Sequence, residues 1–308
     1  RINAMKLELH GLVAATHTPF TTDGELNLAV VEQQAEHLQR QRVATVFIGG
    51  TTGESHSLTL AERLALAQRW SDVCRGSTLR LVIHVGSNCL ADARTLAAQA
   101  EALQAAAISA LAPSYFKPKN VDTLVACCAE IAGAAPSVPF YFYDIPSMTG
   151  VQMSMPDFLE TARQRIPSLA GIKFTNADLM AFQRTQRAQA AAYDILWGVD
   201  EYLLAALALG ARGAVGSSYN FAAPIYHRVI AAFAQNDLAT ARDEQFRSVQ
   251  LIELLASYGY MAAAKATMGF LGVEVGPPRL PNARLAPADI ETLRGRLEQL
   301  GFFPWVQA

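Results

Sequence analysis

Runs rich in Val, Ile, Phe and Tyr alternate with helix-patterned segments eight times along this 308-residue chain. No other feature restricts the fold as much, because each strand must return to its neighbour through a helix. Strands are predicted at about 11–18 (GLVAATHT), 44–50 (ATVFIGG), 80–86 (RLVIHVG) and 107–113 (AISALAP). Four more follow at about 139–145 (PFYFYDI), 169–175 (LAGIKFT), 194–199 (DILWGV) and 213–218 (GAVGSS). Between them, TLAE (Thr59 to Glu62) is a capping-box sequence, and SMPD places Ser154 as an N-cap with Pro156 in the first turn. Eight such units in about 230 residues match an α/β fold of the (β/α)8 TIM-barrel type. A doubly wound sheet competes, but it usually has fewer strands and a cofactor fingerprint. Neither G-x-G-x-x-G nor G-x-x-x-x-G-K-[ST] occurs. After about residue 232 the strand pattern stops. Residues 237–258, 260–272 and 287–300 read as helices, the last of them closing the fold, and GVEVGPPRLPNA (272–283) reads as a Pro-rich turn. The expected organisation is a catalytic barrel over 5–232 and a helical extension over 233–308 packed on it.

Composition narrows the partners. Hydrophobic residues make up 51% of the chain and charged ones 17%, enough apolar material for a large core and too much for disorder. A net charge of −2 with no basic run argues against nucleic acid or an anionic membrane as the main partner. No apolar run reaches membrane-spanning length and no signal peptide is visible. Cys74, Cys89, Cys127 and Cys128 show no C-x-x-C spacing, so reduced thiols and a cytoplasmic location are expected. The six histidines form no ligand spacing, so no metal is expected, and His84, inside a strand, reads as a core residue. The RINA preceding Met5 reads as an expression remnant, with Met5 the natural start.

Chemistry on such a barrel sits on the loops at the C-terminal strand ends. Those loops carry GGTTGES, APSYFKP, YDIPSMTG, KFTNAD, GVDEY and GSSYN, a rim of polar and Gly-rich residues. The sixth strand holds the least expected residue, Lys173. Arginine supplies 20 of the 25 basic residues, so lysine is used sparingly. A guanidinium cannot become a nucleophilic amine, whereas lysine can. A lysine snorkelling to water at a strand end is the ordinary alternative. Alternation weakens that alternative, because it sends Ile172 and Phe174 to one face and Lys173 and Thr175 to the other. By the same rule Phe140 and Phe142 point outward while Tyr141 and Tyr143 point inward. Lys173 and Tyr143 should therefore meet inside the barrel mouth. At its reference value only about one lysine amine in 2,500 is neutral at pH 7, and desolvation raises that fraction. A neutral amine attacks a ketone to form an imine, and a nearby phenol can relay protons.

Two further segments carry polar groups. Thr51 and Thr52 in GGTTGE offer hydroxyls and backbone N–H groups for a carboxylate, against the alternative of an ordinary Gly/Thr turn. Asp200 and Glu201 open a helix, either as acids favoured at a helix start or as acceptors for substrate hydroxyls.

With GTTGE, Y-x-I-P-x-x-T-G, I-K-F-T, G-V-D-E, G-A-V-G-S and GPPRLP in this order, the sequence resembles the N-acetylneuraminate lyase and dihydrodipicolinate synthase superfamily, from about Gly11 onward. Within it the likeness is greatest to the lyases of the animal type. The resemblance implies a class I aldolase, a homotetramer without metal or organic cofactor, cleaving sialic acid reversibly to N-acetylmannosamine and pyruvate. It also implies Lys173 as the imine-forming residue, Tyr143 as the proton relay, and Thr51 and Thr52 as the holders of the pyruvyl carboxylate, with Thr52 assisting proton transfer. Thr175, Gly198, Asp200, Glu201 and Ser217 match residues that contact the sugar tail. Tyr115 matches an aromatic that approaches a neighbouring subunit's site. Where synthases carry an arginine for a second carboxylate, this chain has Met148, which favours the lyase branch. Another pyruvate-dependent aldolase, a dihydrodipicolinate synthase-like enzyme and a non-catalytic sugar-acid binding protein are the alternatives.

Overall fold

The computed structural model describes residues 7–307, so the expected start at Met5 lies outside the described residues. Eight parallel strands close into one barrel in sequence order: β1 (Gly11–Ala15), β2 (Thr45–Ile48), β3 (Arg80–His84), β4 (Ala107–Leu111), β5 (Phe140–Asp144), β6 (Leu169–Phe174), β7 (Asp194–Trp197) and β8 (Gly213–Gly216). The predicted fold is the observed one. Predicted strands overran their C-terminal ends by one to three residues. The composition stays strand-like there, but the backbone leaves the ladder to build the rim, as at Gly49 with φ +63.

Alternation divides the buried residues into two clusters. Val13, Phe47, Val82, Leu111, Tyr141, Tyr143 and Leu196 point into the barrel. Val46, Ile83, Ile108, Phe140, Phe142, Ile172, Phe174 and Trp197 face the surrounding helices. Both predicted helix starts form as read: Thr59 and Glu62 make a reciprocal capping box, and the Ser154 hydroxyl accepts from the Asp157 N–H.

The C-terminal region folds as helices Leu238–Ser257, Tyr260–Phe270 and Pro287–Leu300, with a further short helix, Phe302–Val306, that the sequence pattern did not reveal. Five residues are too few to display a helical period. The helix Tyr219–Ala234 runs across the boundary expected at residue 232. Leu251, Leu255, Met268, Leu293, Leu297 and Phe302 belong to the same buried cluster as the outward faces of the strands. Among the described residues no helix is long and apolar enough to cross a membrane.

Inside the barrel, away from the rim, the buried Asp194 carboxylate accepts from the Tyr141 hydroxyl and from the Leu9 N–H, both at 2.9 Å. Tyr141→Phe removes one of these donors from a desolvated acid. It is expected to lower stability by about 1–3 kcal/mol, measured by urea denaturation.

Candidate active site

Lys173 and Tyr143 are register partners on adjacent strands, and both are nearly fully buried. The Lys173 Nζ lies 3.7 Å from the centroid of the Tyr143 ring and 4.3 Å from that of Phe47. Two aromatic faces thus stabilise the cation where, among the described residues, no carboxylate pairs with it. The Tyr143 hydroxyl is 3.2 Å from Thr51 Oγ1, so the phenol is joined to the loop that follows β2. Phe47 and His84 each present an edge or face to the Tyr143 ring at 5.9 Å, fixing its plane. His84 is a core residue as expected. Its Nδ1 donates to the Gly49 carbonyl and its Nε2 accepts from the Leu111 N–H, while burial holds it neutral, well below its usual range.

A cavity of about 740 Å3 opens above these groups at the C-terminal rim. Lys173, Tyr143, Thr51, Thr52, Thr175, Gly198, Asp200, Glu201 and Ser217 all line it, drawn from five different strand ends. Two further residues singled out from the sequence, neither expected to line this chain's own cavity, lie outside it. Tyr115 is 79% exposed and stacks edge-on against Phe116 outside the cavity. Met148 is 64% exposed and does not line the cavity either; it sits on the short helical turn Pro146–Thr149, whose neighbours Ile145, Pro146 and Ser147 form that wall. The residue expected to separate the two branches is therefore turned to solvent.

The wall opposite Tyr143 is built by close approach. A Cβ on Gly198 would lie 2.0 Å from Thr175 Oγ1, and one on Gly216 would lie 2.0 Å from Asp200 Oδ1. Both positions exclude any side chain. The Thr175 hydroxyl is buried without a hydrogen-bond partner among the described residues, a group left for a ligand to satisfy. Asp200 accepts from the Ser218 N–H at 3.0 Å and from the Ser218 hydroxyl, and the Tyr226 hydroxyl stands 2.6 Å behind that serine. This acid is no ordinary helix-start residue, since its Oδ2 is anchored while Oδ1 faces Gly216. Ser217 Oγ is 2.8 Å from the hydroxyl of Tyr260.

Tyr260, Ile252 and Gln152 also line the cavity, and no pattern in the sequence marks them as site residues. Ile252 and Tyr260 come from the C-terminal helices, 36 and 44 residues beyond the end of the last strand, where no strand end marks a rim position. Another rim acid, Asp144, follows Tyr143 but faces the other side of the strand; burial pushes its carboxyl up to about 7, opposed by Asn176.

Comparison with known proteins gives the same direction. The chain matches the Dihydrodipicolinate synthetase family over residues 8–300. It is 41% identical to a Gallus gallus protein named N-acetylneuraminate lyase, over 95% of this chain and 96% of that one. Among solved structures it is similar to Proteus mirabilis N-acetylneuraminate lyase, with a TM-score of 0.93 and 40% identity over 96% of this chain and 100% of that one. It is similar also to the N-acetylneuraminate lyase (sialic acid aldolase) of Aliivibrio salmonicida, with a TM-score of 0.93 and 38% identity over 96% of this chain and 98% of that one.

Desolvation raises the Asp200 carboxyl from its ordinary 3.8 to about 6, against the lowering effect of Ser218. Between those values the folded chain holds a proton that the unfolded chain has released, so stability falls as pH rises from about 4 to about 6. The contribution is about 3 kcal/mol at full ionisation. Asp200→Asn is expected to flatten that part of the stability–pH curve, as read from denaturation at several pH values.

Proposed function

The chain belongs to the dihydrodipicolinate synthetase family, and on that premise we propose that it is a class I aldolase, reversibly cleaving N-acetylneuraminate to N-acetylmannosamine and pyruvate. The single observation that carries this reading is the contact between a buried, carboxylate-free Lys173 ammonium and the Tyr143 ring inside the rim cavity. Nothing in that arrangement serves an ion pair, whereas imine chemistry needs it: an amine shielded from water beside a hydroxyl that can carry protons.

In the proposed reaction the Lys173 amine adds to the keto carbon of the open-chain sugar acid, and water leaves as the protonated imine forms. The imine draws in the electron pair of the carbon–carbon bond one carbon removed, while Tyr143 accepts the proton of the hydroxyl on the departing carbon. That carbon leaves as the aldehyde of N-acetylmannosamine. The enamine left on Lys173 takes a proton back, and water releases pyruvate and the free amine. Thr51 and Thr52 hold the carboxylate with their hydroxyls and the backbone N–H groups of a Gly-rich turn. Thr51, 3.2 Å from the phenol, also ties that cradle to the proton carrier, and Thr52 assists the transfer. The hydroxyl tail of the sugar lies along Thr175, Gly198, Asp200, Glu201 and Ser217, where an unpaired buried hydroxyl and two acids await donors and acceptors.

We further propose a homotetramer in the cytoplasm. Support for assembly comes from the exposed aromatic pair Tyr115 and Phe116, beside the rim and without cover from its own chain. Support for a reducing compartment comes from four cysteines, all unpaired. Native mass spectrometry of wild type and Tyr115→Ser tests the assembly.

Borohydride added with pyruvate is expected to leave a covalent adduct on Lys173, located by peptide mass spectrometry. Lys173→Arg keeps the charge and is expected to lose both adduct and turnover; full activity in that variant is incompatible with the mechanism. Tyr143→Phe is expected to reduce kcat by about 10²–10⁴ while the adduct still forms. Faster turnover of aspartate semialdehyde with pyruvate than of sialic acid would instead mark a synthase.

A further inference from the structure

Glu54, two residues beyond the Thr51–Thr52 pair, does not line the cavity, and its side chain is fully buried. It sits in the left-handed region at φ 54, ψ 38, a conformation uncommon for a non-glycine residue, and here side-chain contacts hold it in place. The holding groups come from the other end of the chain. Glu54 Oε1 accepts from Lys265 Nζ at 3.0 Å, and Oε2 accepts from the Arg279 N–H at 2.9 Å. Lys265, also fully buried, spends its other two ammonium hydrogens on the Thr18 carbonyl at 2.9 Å and the Pro277 carbonyl at 3.2 Å. Thr18 in turn donates its hydroxyl to the Gly53 carbonyl at 2.6 Å. Both flanks of the loop are thus tied at once.

Arg279 closes the far side. Its guanidinium makes a bidentate pair with Glu62, in the first turn of the helix Leu60–Arg75, and donates to the Ser57 and Gly24 carbonyls. The segment 265–282 therefore grips the connection between β2 and its helix at two points, Glu54 and Glu62, with Thr51 and Thr52 just ahead of the first. A buried ion pair is a poor device for stability alone, because an apolar pair of equal volume does as well or better. It is a good device for fixing one geometry.

We propose that Glu54, Lys265 and Arg279 are positioning residues for the aldolase reaction: together they set where the Thr51–Thr52 cradle lies against Tyr143 and Lys173, which makes the C-terminal helical region a working part of the site. The inference rests on the proposed reading of Lys173 as the imine-forming residue. It predicts a split between the two substrates of the synthetic direction, because only pyruvate carries the carboxylate that the cradle holds.

Glu54→Gln keeps the volume but cannot accept from both Lys265 and the Arg279 N–H with the same oxygens. It is expected to raise KM for pyruvate by about 10- to 100-fold and to lower kcat by about 10-fold, the scale set by a misplacement of about 1 Å. KM for N-acetylmannosamine should stay within about twofold, since that half of the substrate meets the opposite wall. Borohydride should still trap pyruvate on Lys173 at saturating concentration. Wild-type constants in folded Glu54→Gln protein, with only a lowered Tm, would reduce the pair to a structural brace and overturn the proposal. If Glu54→Gln does not fold, Arg279→Met carries the test, since it releases the partly exposed outer grip alone; the same pyruvate-selective rise supports the proposal, and unchanged constants refute it. Absence of any adduct in the wild type would instead refute the reading of Lys173 itself, so the two failures are told apart.

Discussion

One ammonium group buried among aromatic rings governs how this molecule is built. Removing a lysine from water without a carboxylate beside it is unfavourable by several kcal/mol, and the ring faces of Tyr143 and Phe47 recover only part of that. Such a site persists only inside a frame stable enough to carry the difference. The closed barrel supplies that frame: alternation on β5 and β6 aims the two side chains inward, and the outward face of the same strands buries Phe140, Phe142, Ile172 and Phe174 against helices.

The two buried lysines among the described residues make an instructive contrast. Lys265 has all three hydrogens directed at fixed oxygens, so its nitrogen is held in one place; burial lowers its pKa to about 8, opposed by Glu54. Lys173 meets only π-faces among the described residues, which attract a cation without specifying a hydrogen-bond direction. The same residue type is thereby fitted to opposite tasks, bracing in one place and, as proposed, covalent chemistry in the other. In a protein that otherwise prefers arginine, both are positions where a planar guanidinium would be the wrong shape or the wrong chemistry.

Much of this was legible beforehand because it depends on local periodicity. The eight strands, the inward aim of Tyr143 and Lys173, and the capping box at Thr59 each follow from spacing within a few residues. The gathering of Thr51, Thr175, Asp200 and Ser217 around one cavity followed from the rule that strand ends share a rim. What stayed hidden depends on contacts between distant segments. Tyr260 reaches the cavity from a helix whose sequence reads as packing, and Glu54 within GGTTGE is occupied by Lys265, 211 positions away. Met148 pointed to the lyase branch through its place in a motif, which fixes its position on the turn but not the direction of its side chain.

The two glycines behind the wall formed by Thr175 and Asp200 limit which substitutions that wall can accept. At residues 198 and 216 even a methyl group would collide with Thr175 or Asp200, so neither glycine can be replaced without displacing its neighbour. Changes in selectivity must then arise at the side chains those glycines make room for, or at Glu201, Ser217 and Tyr260 beside them. The backbone there acts as a fixed mould, and room for change is left to the side chains that line it.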